Sequence, residues 1–200
     1  MIYIRETSRI IRIVLILWLL VAIIYPFAIF GIGQTLFNFQ ANGSIRTSNF
    51  NGKPIGSVLI GQQFITDKYF HSRPSVINYA QGNAGEPRGI SGGSNLSPGD
   101  NKLIQRIKEE LELLQEEDTA VLPELIYASG SGLDPHISLN AAIKQLPRVA
   151  SSRNIRPDEI FVLLQKYTDK KFLGIFGEPG INILRLNYAL DVQDFSRQQN

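Results

Sequence analysis

Residues 13–33, IVLILWLLVAIIYPFAIFGIG, form an apolar run of 21 residues without a single charge. At about 1.5 Å rise per residue, a helix of this length reaches about 32 Å, which is enough for a hydrocarbon core of about 30 Å. The run therefore predicts a membrane-spanning helix. Pro26 predicts a kink or a helix end near Tyr25, because interior proline is tolerated in membrane helices where neighbouring groups satisfy the freed carbonyl.

Two other structures produce a similar run, namely a cleaved signal peptide and a buried core helix. The run is longer than the roughly 7 to 15 apolar residues of a signal peptide, and no Ala-x-Ala site follows it. Gly31-Ile32-Gly33 is only a weak small-x-small site. A helix of this length that is apolar on all sides suits lipid better than a soluble core. We therefore favour the membrane span.

Basic residues lie on one side of this run. Arg5, Arg9 and Arg12 precede it with Glu6, whereas residues 34–45 contain no lysine or arginine. The positive-inside rule therefore places the N-terminus in the cytoplasm. The sequence predicts a single-pass protein of the cell (inner) membrane with three parts: a cytoplasmic tail at residues 1–12, a transmembrane helix at 13–33 and an extracytoplasmic domain at 34–200.

The charge of the chain outside the N-terminal segment is balanced. The whole chain carries a formal net charge of +2, and residues 1–33 already account for it. A neutral body lacks the basic footprint that phosphate backbones require, so nucleic acid is not an expected partner. The chain has no cysteine, which excludes disulfides, thiolate zinc sites and cysteine nucleophiles.

Strand and helix patterns are mixed along residues 34–200. Short apolar segments between turn residues predict strands at 56–64, 123–128 and 181–187, and the Pro- and Gly-rich stretch 71–100 predicts a long irregular excursion. Helices are predicted at 100–118, from near Ser138, where Pro147 would divide the helix, and from Pro157. This order predicts an α+β domain in which a small sheet packs against helices.

The second half of the predicted 100–118 helix is strongly acidic. An acidic surface of this kind could attract cations or bind a basic partner. A charge run on an amphipathic helix is more often a solvated face, which is the interpretation we favour.

The segment ASGSGLDPHIS, residues 128–138, concentrates hydroxyl, carboxylate and imidazole groups in one loop. A serine hydrolase needs such groups, but triad members normally converge from separated parts of a chain, so a glycine-shaped turn is the better interpretation. With His71, the loop could also form a weak cation site, although structural zinc sites usually need four ligands and catalytic sites three. No metal site is therefore predicted. The candidate residues are Ser129, Gly130, Ser131, Gly132, Asp134 and His136.

The peptide SGGSNL, residues 91–96, is rich in glycine and serine, and a glycine-rich backbone can hold phosphate. The chain contains no Gly-x-x-x-x-Gly-Lys-Ser/Thr sequence, so it cannot assemble a complete ATP site of that kind. The peptide is a weak candidate for a nucleotide-binding loop. Its candidate residues are Ser91, Gly92, Gly93, Ser94 and Asn95.

The peptide YFHSRPS, residues 69–75, combines two aromatics, a histidine and an arginine with a proline that stiffens the backbone. Aromatic residues and arginine are enriched at interface centres. A partly buried anchor for the following loop is the alternative, and we favour it slightly. The candidates are Tyr69, Phe70, Arg73 and Pro74.

Taken together, these peptides resemble the KdpC family, the C subunit of the Kdp potassium-transporting ATPase. The resemblance covers most of residues 10–190 and adds Gln145 and Arg148 as interface or structural candidates. The departures are Tyr127, where threonine is expected, and Leu139-Asn140, where Pro-Glu is commoner. The matching pieces, in the expected order, are the single span, GSVLIGQQF (56–64), YFHSRPS, SGGSNL, ASGSGLDPHIS, QLPRVA (145–150) and NILRLNYAL (182–190).

The resemblance implies a non-catalytic accessory subunit that stabilises assembly of a potassium-uptake complex. The implied partners are a channel-like potassium-translocating subunit, a P-type ATP-hydrolysing subunit, a small single-span subunit and the lipid bilayer. ATP and potassium would be handled by the complex, with no cofactor bound firmly here. The family is also described as a catalytic chaperone that raises the pump's ATP affinity, which from outside the membrane must be an indirect coupling. The alternative is a membrane-anchored hydrolase using Ser129 or Ser131.

Overall fold

A long apolar helix occupies the N-terminal part of the computed structural model, which describes residues 2–81 and 90–198. It consists of α1 (Ile2–Leu19), a π-helical turn (Leu20–Ile24) and α2 (Tyr25–Leu36). The stretch Tyr3–Leu36 is long and apolar enough to cross a membrane, and none of its most apolar window is buried within the protein. The N-terminal apolar helix expected from the sequence is therefore present.

The helix does not end near Tyr25, which corrects one of the two outcomes expected for Pro26. The backbone N–H of Tyr25 donates to the carbonyl of Leu20, five residues back, and Pro26 lies in the first turn of α2. A proline ring collides with the carbonyl four residues before it, and the wider π-helical turn relieves that collision. The chain therefore continues as a helix to Leu36.

The chain separates into two units, Met1–Ile45 and Arg46–Asn200. A short helix, α3 (Asn38–Ala41), follows α2 in the first unit. At the boundary, β1 (Ile45–Thr47) pairs with β2 (Pro54–Ser57) in a two-stranded sheet.

The second unit contains a three-stranded antiparallel sheet surrounded by helices. The sheet order is β3-β5-β4, with His136 opposite Asn182 and Thr168 opposite Ile181. This small sheet packed on helices confirms the predicted α+β class. The elements are a 3-10 turn (Asn78–Ala80), α4 (Asn101–Glu116), α5 (Pro123–Ile126), β3 (His136–Ile137), α6 (Leu139–Arg153), α7 (Pro157–Tyr167), β4 (Thr168–Asp169), β5 (Gly180–Asn182) and α8 (Ile183–Gln198).

Local signals in the sequence set the starts of three helices. The Asp100 carboxylate accepts from the N–H of Lys102 at α4, and the Ser138 hydroxyl accepts from the N–H of Ala141 at α6. Pro157 occupies the first turn of α7, where its missing N–H costs nothing. The helices predicted at 100–118, from near Ser138 and from Pro157 are confirmed.

Four details of the predicted elements are wrong. Residues 123–126 form α5, because Leu125 and Ile126 are both buried, whereas a strand would direct them to opposite faces. Only Ile181 and Asn182 of the last predicted strand are extended, since the buried positions 183, 186, 187 and 190 have helical spacing. Pro147 lies inside α6 without dividing it. In the segment 56–64, only Gly56 and Ser57 belong to a strand.

The core of the second unit lies between β5 and the helices α6, α7 and α8. These helices direct apolar side chains toward one another, as their amphipathic patterns require. The fully buried members include Phe70, Val149, Ile160, Leu164, Ile181, Leu186 and Leu190.

Candidate functional site

The segment YFHSRPS has no regular secondary structure, and its residues are buried or half-buried. Phe70 is fully buried, and the Asn187 amide on α8 bonds both of its backbone groups: Phe70 N–H donates to Oδ1 at 2.9 Å, and Nδ2 donates to the Phe70 carbonyl at 2.9 Å. At the next residue, Gln145 on α6 does the same for His71, at 2.7 and 3.1 Å. Two buried amides therefore replace the strand neighbours that this segment lacks.

These amide contacts provide hydrogen-bond partners for four backbone groups of the segment. A buried backbone N–H or carbonyl without a partner costs about 1 to 3 kcal/mol, so four such groups need the two amides. The backbone N–H and carbonyl of Phe70 and of His71 each have a partner in the Asn187 or Gln145 amide. These contacts hold the segment in place.

Tyr69, the first residue of the segment, belongs to an ionic cluster with α6 and α8. Its hydroxyl donates to Asp191 at 3.1 Å, and the Arg153 guanidinium lies 5.0 Å from the ring centre. Arg153 also pairs with Asp191 at 2.9 Å and Asp194 at 2.6 Å. Burial, reinforced by the Asp191 charge, raises the pKa of Tyr69, so this phenol stays protonated and acts as a donor.

His71 connects α4 to α6 through a charged network. Its Nδ1 lies 3.2 Å from Glu117, and its Nε2 lies 3.2 Å from Arg148 Nη1. Nε2 also lies 3.3 Å from the carbonyl oxygen of Thr66, so both a donor and an acceptor face this ring nitrogen. Arg148 also pairs with Glu117 at 3.4 Å and Asp67 at 3.8 Å, and donates to Gln145 at 2.8 Å.

The network keeps Glu117 ionised next to a buried cation. Burial acts to raise the pKa of Glu117, but the hydrogen bond and charge of His71 and the charge of Arg148 outweigh it, and the net pKa is lowered. Only 6% of the Arg148 side chain is exposed, and its burial lowers the pKa of the guanidinium. Arg148 Nε faces Glu117 at ion-pair distance without a directed hydrogen bond.

Arg73 and Pro74 attach the segment to the loop at residues 128–138. Arg73 Nη1 lies 3.2 Å from Asp134 Oδ2, and the N–H of Ser129 donates to the Pro74 carbonyl at 2.9 Å. The Tyr79 hydroxyl donates to the Arg73 carbonyl, and burial raises the pKa of Tyr79 to about 12. Hydrogen bonding from His136 lowers the pKa of Asp134 against the effect of burial.

The two glycine-serine loops contact each other. The Ser91 hydroxyl and the Gly92 N–H both donate to the Ser131 carbonyl, at 3.1 and 2.9 Å. A Cβ on Gly93 would lie 2.8 Å from the Gly130 carbonyl, and one on Gly132, where φ is +67°, would lie 2.5 Å from Ile77. Glycine is needed at both positions because the backbones approach too closely for a side chain.

Two loop N–H groups that a phosphate could use, those of Gly92 and Gly132, already donate to carbonyls. The N–H of Gly132 donates to the Ser129 carbonyl at 3.2 Å, and Ser75 donates to the Gly132 carbonyl at 2.7 Å. Ser94 and Asn95 continue the first loop, with Asn95 at φ +51°. Phosphate cradles present several free N–H groups to one point, whereas the N–H groups of Gly92 and Gly132 donate to carbonyls of the 128–138 loop.

The hydrolase and cation candidates are not assembled into sites in the described part of the chain. The hydroxyls of Ser129 and Ser131 lie 3.2 Å apart, and Ser131 accepts from the N–H of Leu133. His136 Nδ1 lies 3.7 Å from Asp134, in the same short loop. Within residues 2–81 and 90–198, neither serine is hydrogen-bonded to a histidine or carboxylate, and no group of three or more possible metal ligands is found.

A cleft of about 320 Å³ lies between α4 and the residues 62–65 and 71–75. Its wall combines Arg73 and Tyr79 with the carboxylates Glu110 and Glu117. Burial raises the pKa of Glu110 although Arg106 opposes the shift. The mixture of one cation, two acids and several amides gives the cleft no dominant charge, so it does not indicate one class of ligand.

Several residues of this site were not predicted from the sequence. Asn187 lies in a quoted peptide, but its role depends on a partner 117 positions away. Glu117 lies in a charge run interpreted as a solvated face, and its neighbours Glu112 and Glu116 are indeed exposed. Its position on the inner edge of the apolar stripe of α4 was the available signal. Tyr79 follows the segment at positive φ, +53°, which sequence does not reveal.

Comparison with known proteins gives consistent matches over nearly the whole chain. The family model KdpC, described as "K+-transporting ATPase, c chain", matches residues 7–192. Potassium-transporting ATPase KdpC subunit 2 of Nostoc sp. is 60% identical over 198 residues, covering 99% of both chains. The KdpC subunit of Synechocystis sp. is 53% identical over 88% of this chain and 92% of its own. That of Mycobacterium bovis is 40% identical, covering 94% and 98%.

These matches agree with the resemblance read from the span and the six short peptides. The relatives are covered almost end to end, and the family model includes both the apolar helix and the second unit. The chain therefore belongs to the KdpC family, the c chain of the K+-transporting ATPase.

Proposed function

We propose that this chain is a non-catalytic accessory subunit of a potassium-transporting ATPase, in which it stabilises the assembly of the other subunits. Full-length relatives carrying the name potassium-transporting ATPase KdpC subunit support membership of such a complex. The proposed partners are a channel-like potassium-translocating subunit, a P-type ATP-hydrolysing subunit and a small single-span subunit. The potassium and ATP chemistry belongs to those partners.

One observation carries the non-catalytic part of the proposal. The peptides that could have formed a site are held by hydrogen bonds within the domain. Asn187 and Gln145 bond to YFHSRPS, and SGGSNL bonds to the 128–138 loop. Groups satisfied in this way build a rigid body, and a rigid, preorganised body is what a scaffold subunit offers its partners. A catalytic site would instead present convergent, unsatisfied groups to a substrate.

The location of the second unit decides how it can influence ATP use. The arginines before the span support an extracytoplasmic position for it. From that side, an effect on the pump's ATP affinity is a coupling free energy transmitted through the complex, and this chain contributes no nucleotide contact. The two glycine-serine loops, which are bonded to each other through the Ser91 hydroxyl and the Gly92 N–H, support this indirect mechanism.

A truncation tests the assembly function. The complex is purified in mild detergent from cells that express either the full chain or a chain lacking residues 46–200. We expect the truncated chain to lose co-purification of the channel-like and pump subunits and to weaken potassium affinity. Full assembly and unchanged affinity without residues 46–200 would contradict the proposal.

Two further measurements separate this proposal from its rivals. A photoactive ATP analogue should give no saturable labelling of this chain in the purified complex, since saturable labelling would indicate a nucleotide site in its loops. Ser129→Ala and Ser131→Ala should leave potassium transport unchanged. Loss of transport in a variant that still assembles would favour the membrane-anchored hydrolase.

A further inference from the structure

A loop of the second unit exposes an unusually apolar surface. Between β4 and β5, the side chains of Phe172, Leu173, Ile175 and Phe176 are 70, 74, 74 and 62% exposed, respectively. We name these four residues the apolar tip. Single exposed apolar residues are normal on protein surfaces, but four large ones within five positions are typical of a surface that contacts another apolar phase.

The backbone of the apolar tip is a closed turn. Phe172 N–H donates to the Phe176 carbonyl at 2.7 Å, and Phe176 N–H donates back to the Phe172 carbonyl at 2.9 Å. Gly174 and Ile175 donate to the carbonyls of Lys171 and Phe172, at 3.1 and 3.2 Å. Four of the five N–H groups are thus satisfied inside the loop. This matters because each unbonded N–H would oppose entry into a medium without water.

Leucine is an unexpected residue for the backbone conformation at position 173. Leu173 and Gly174 both have positive φ, +53° and +75°, the combination found in type I′ turns. Such turns favour Asn-Gly or Asp-Gly, because asparagine and aspartate tolerate this region better than leucine does. Leucine is therefore strained here and also mostly exposed, so its presence is not explained by folding of the loop.

Basic side chains surround the base of the apolar tip. Lys170 and Lys171 directly precede it and are exposed, and Lys166 and Arg185 lie 5.9 Å from the ring centre of Tyr167. Two carboxylates oppose these four cations, Glu178 at 3.4 Å from Lys171 and Asp169 at 3.1 Å from Arg185. Among these six side chains, the cations outnumber the carboxylates by two.

We propose that the apolar tip inserts into the surface of the lipid bilayer, with the basic residues at its base contacting the phosphates of anionic phospholipids. Apolar side chains at the end of a loop, satisfied backbone groups and a basic collar are the features that interfacial membrane binding requires. A chain with a membrane-spanning helix always has a bilayer within reach. This contact is additional to the proposed assembly function and does not depend on it.

The test uses fluorescence of the full chain assembled with its partner subunits in lipid nanodiscs. Trp18 is the only tryptophan, so Trp18→Phe gives a silent background. Ile175→Trp then reports on the apolar tip. Val162→Trp is the control, at a position of α7 that is 63% exposed. The nanodiscs contain phosphatidylcholine and phosphatidylglycerol with brominated acyl chains, which quench only tryptophans that enter the bilayer.

We expect brominated lipid to quench Ile175→Trp strongly and Val162→Trp little. Adding Leu173→Asn should reduce the quenching while keeping the turn, because asparagine favours positive φ. Replacing phosphatidylglycerol with phosphatidylcholine, or changing Lys170 and Lys171 to glutamine, should also reduce it. The Lys171→Gln change leaves the exposed Glu178 without its partner, which costs little at such exposure.

Two results would overturn the proposal. If Ile175→Trp is neither quenched nor blue-shifted, the apolar tip remains in water. If its emission is blue-shifted in the complex without quenching by brominated lipid, a partner subunit covers the apolar tip instead of lipid. Equal quenching of Ile175→Trp and Val162→Trp would also contradict insertion through this loop.

Discussion

Single side chains carry the packing of the second unit, above all the amides of Gln145 and Asn187. Each is almost completely buried, and each bonds both the backbone N–H and the carbonyl of one residue of the 69–75 segment. The peptides that contain them were recognisable in the sequence. Their hydrogen-bond partners were not, because contacts across 74 and 117 positions leave no periodic pattern in a sequence. The sequence therefore identified Gln145 as a candidate but not Asn187, and only the fold explains the role of either.

Replacing either amide with leucine should strongly destabilise the domain. In Gln145→Leu or Asn187→Leu, two buried backbone groups lose their partner, which predicts a loss of about 2 to 4 kcal/mol in the free energy of unfolding. Urea denaturation of the full chain in detergent measures this. Gln105→Leu, at an exposed position of α4, should change stability by no more than about 0.5 kcal/mol. Equal effects at positions 105 and 145 would contradict the interpretation.

Glu117 makes the stability of the domain depend on pH in the acidic range. Its folded pKa lies below the ordinary value of 4.5, so its stabilising contribution is complete above about pH 4.5 and is lost as pH falls through the folded pKa. Glu117→Gln should therefore be less stable at neutral pH and lose less stability between about pH 5 and 3.

Comparing unfolding free energies of the two proteins at several pH values isolates this effect. The pKa of Asp134 is also lowered and burial raises that of Glu110, so these two groups change stability with pH in opposite directions. Both groups are present in the wild-type protein and in the variant. Parallel stability curves for the two proteins would show that the His71 and Arg148 contacts do not depress the pKa of Glu117.

At the scale of secondary structure, periodicity and capping residues predicted α4, α6 and α7, whereas α5 and the start of α8 were predicted as strands. α4, α6 and α7 begin at Asp100, Ser138 and Pro157, which carry strong local start signals. The strands of the main sheet are only two or three residues long. A period of two needs at least four residues to be visible, so strands this short cannot be recognised from sequence.

Pro147 gives a test of how far α6 depends on tertiary packing. It lies in the exposed face of a continuous helix, where proline is about 3 kcal/mol less favourable than alanine. Pro147→Ala should therefore raise the free energy of unfolding by about 1 to 3 kcal/mol, measured by thermal or urea denaturation.

The matched control is Pro157→Ala, at the first turn of α7. Proline is well placed there because its missing N–H has no helical partner, so this change should be neutral or slightly destabilising. A destabilising Pro147→Ala would show that the helix is bent around the proline in a way that the core requires.

At the scale of the molecule, the separate peptides of the second unit form one interlocked body. Buried side chains of α6 and α8 hold the 69–75 segment, which is attached to the 128–138 loop, which in turn contacts the 91–96 loop. Each peptide taken alone suggested a different activity. Only their mutual contacts support the scaffold function that we propose, and these contacts could not be derived from the order of the residues.

The orientation of the chain in the membrane is the prediction on which the mechanism depends most. The chain contains no cysteine, so single cysteines can report on each side. Val162→Cys, exposed on α7, should react with a membrane-impermeant maleimide added to intact spheroplasts, because the arginines before the span favour a cytoplasmic N-terminus. Ser8→Cys should react only in inverted vesicles. If the two cysteines exchange their behaviour, the second unit faces the cell's ATP, and direct nucleotide contact replaces indirect coupling as the explanation to test.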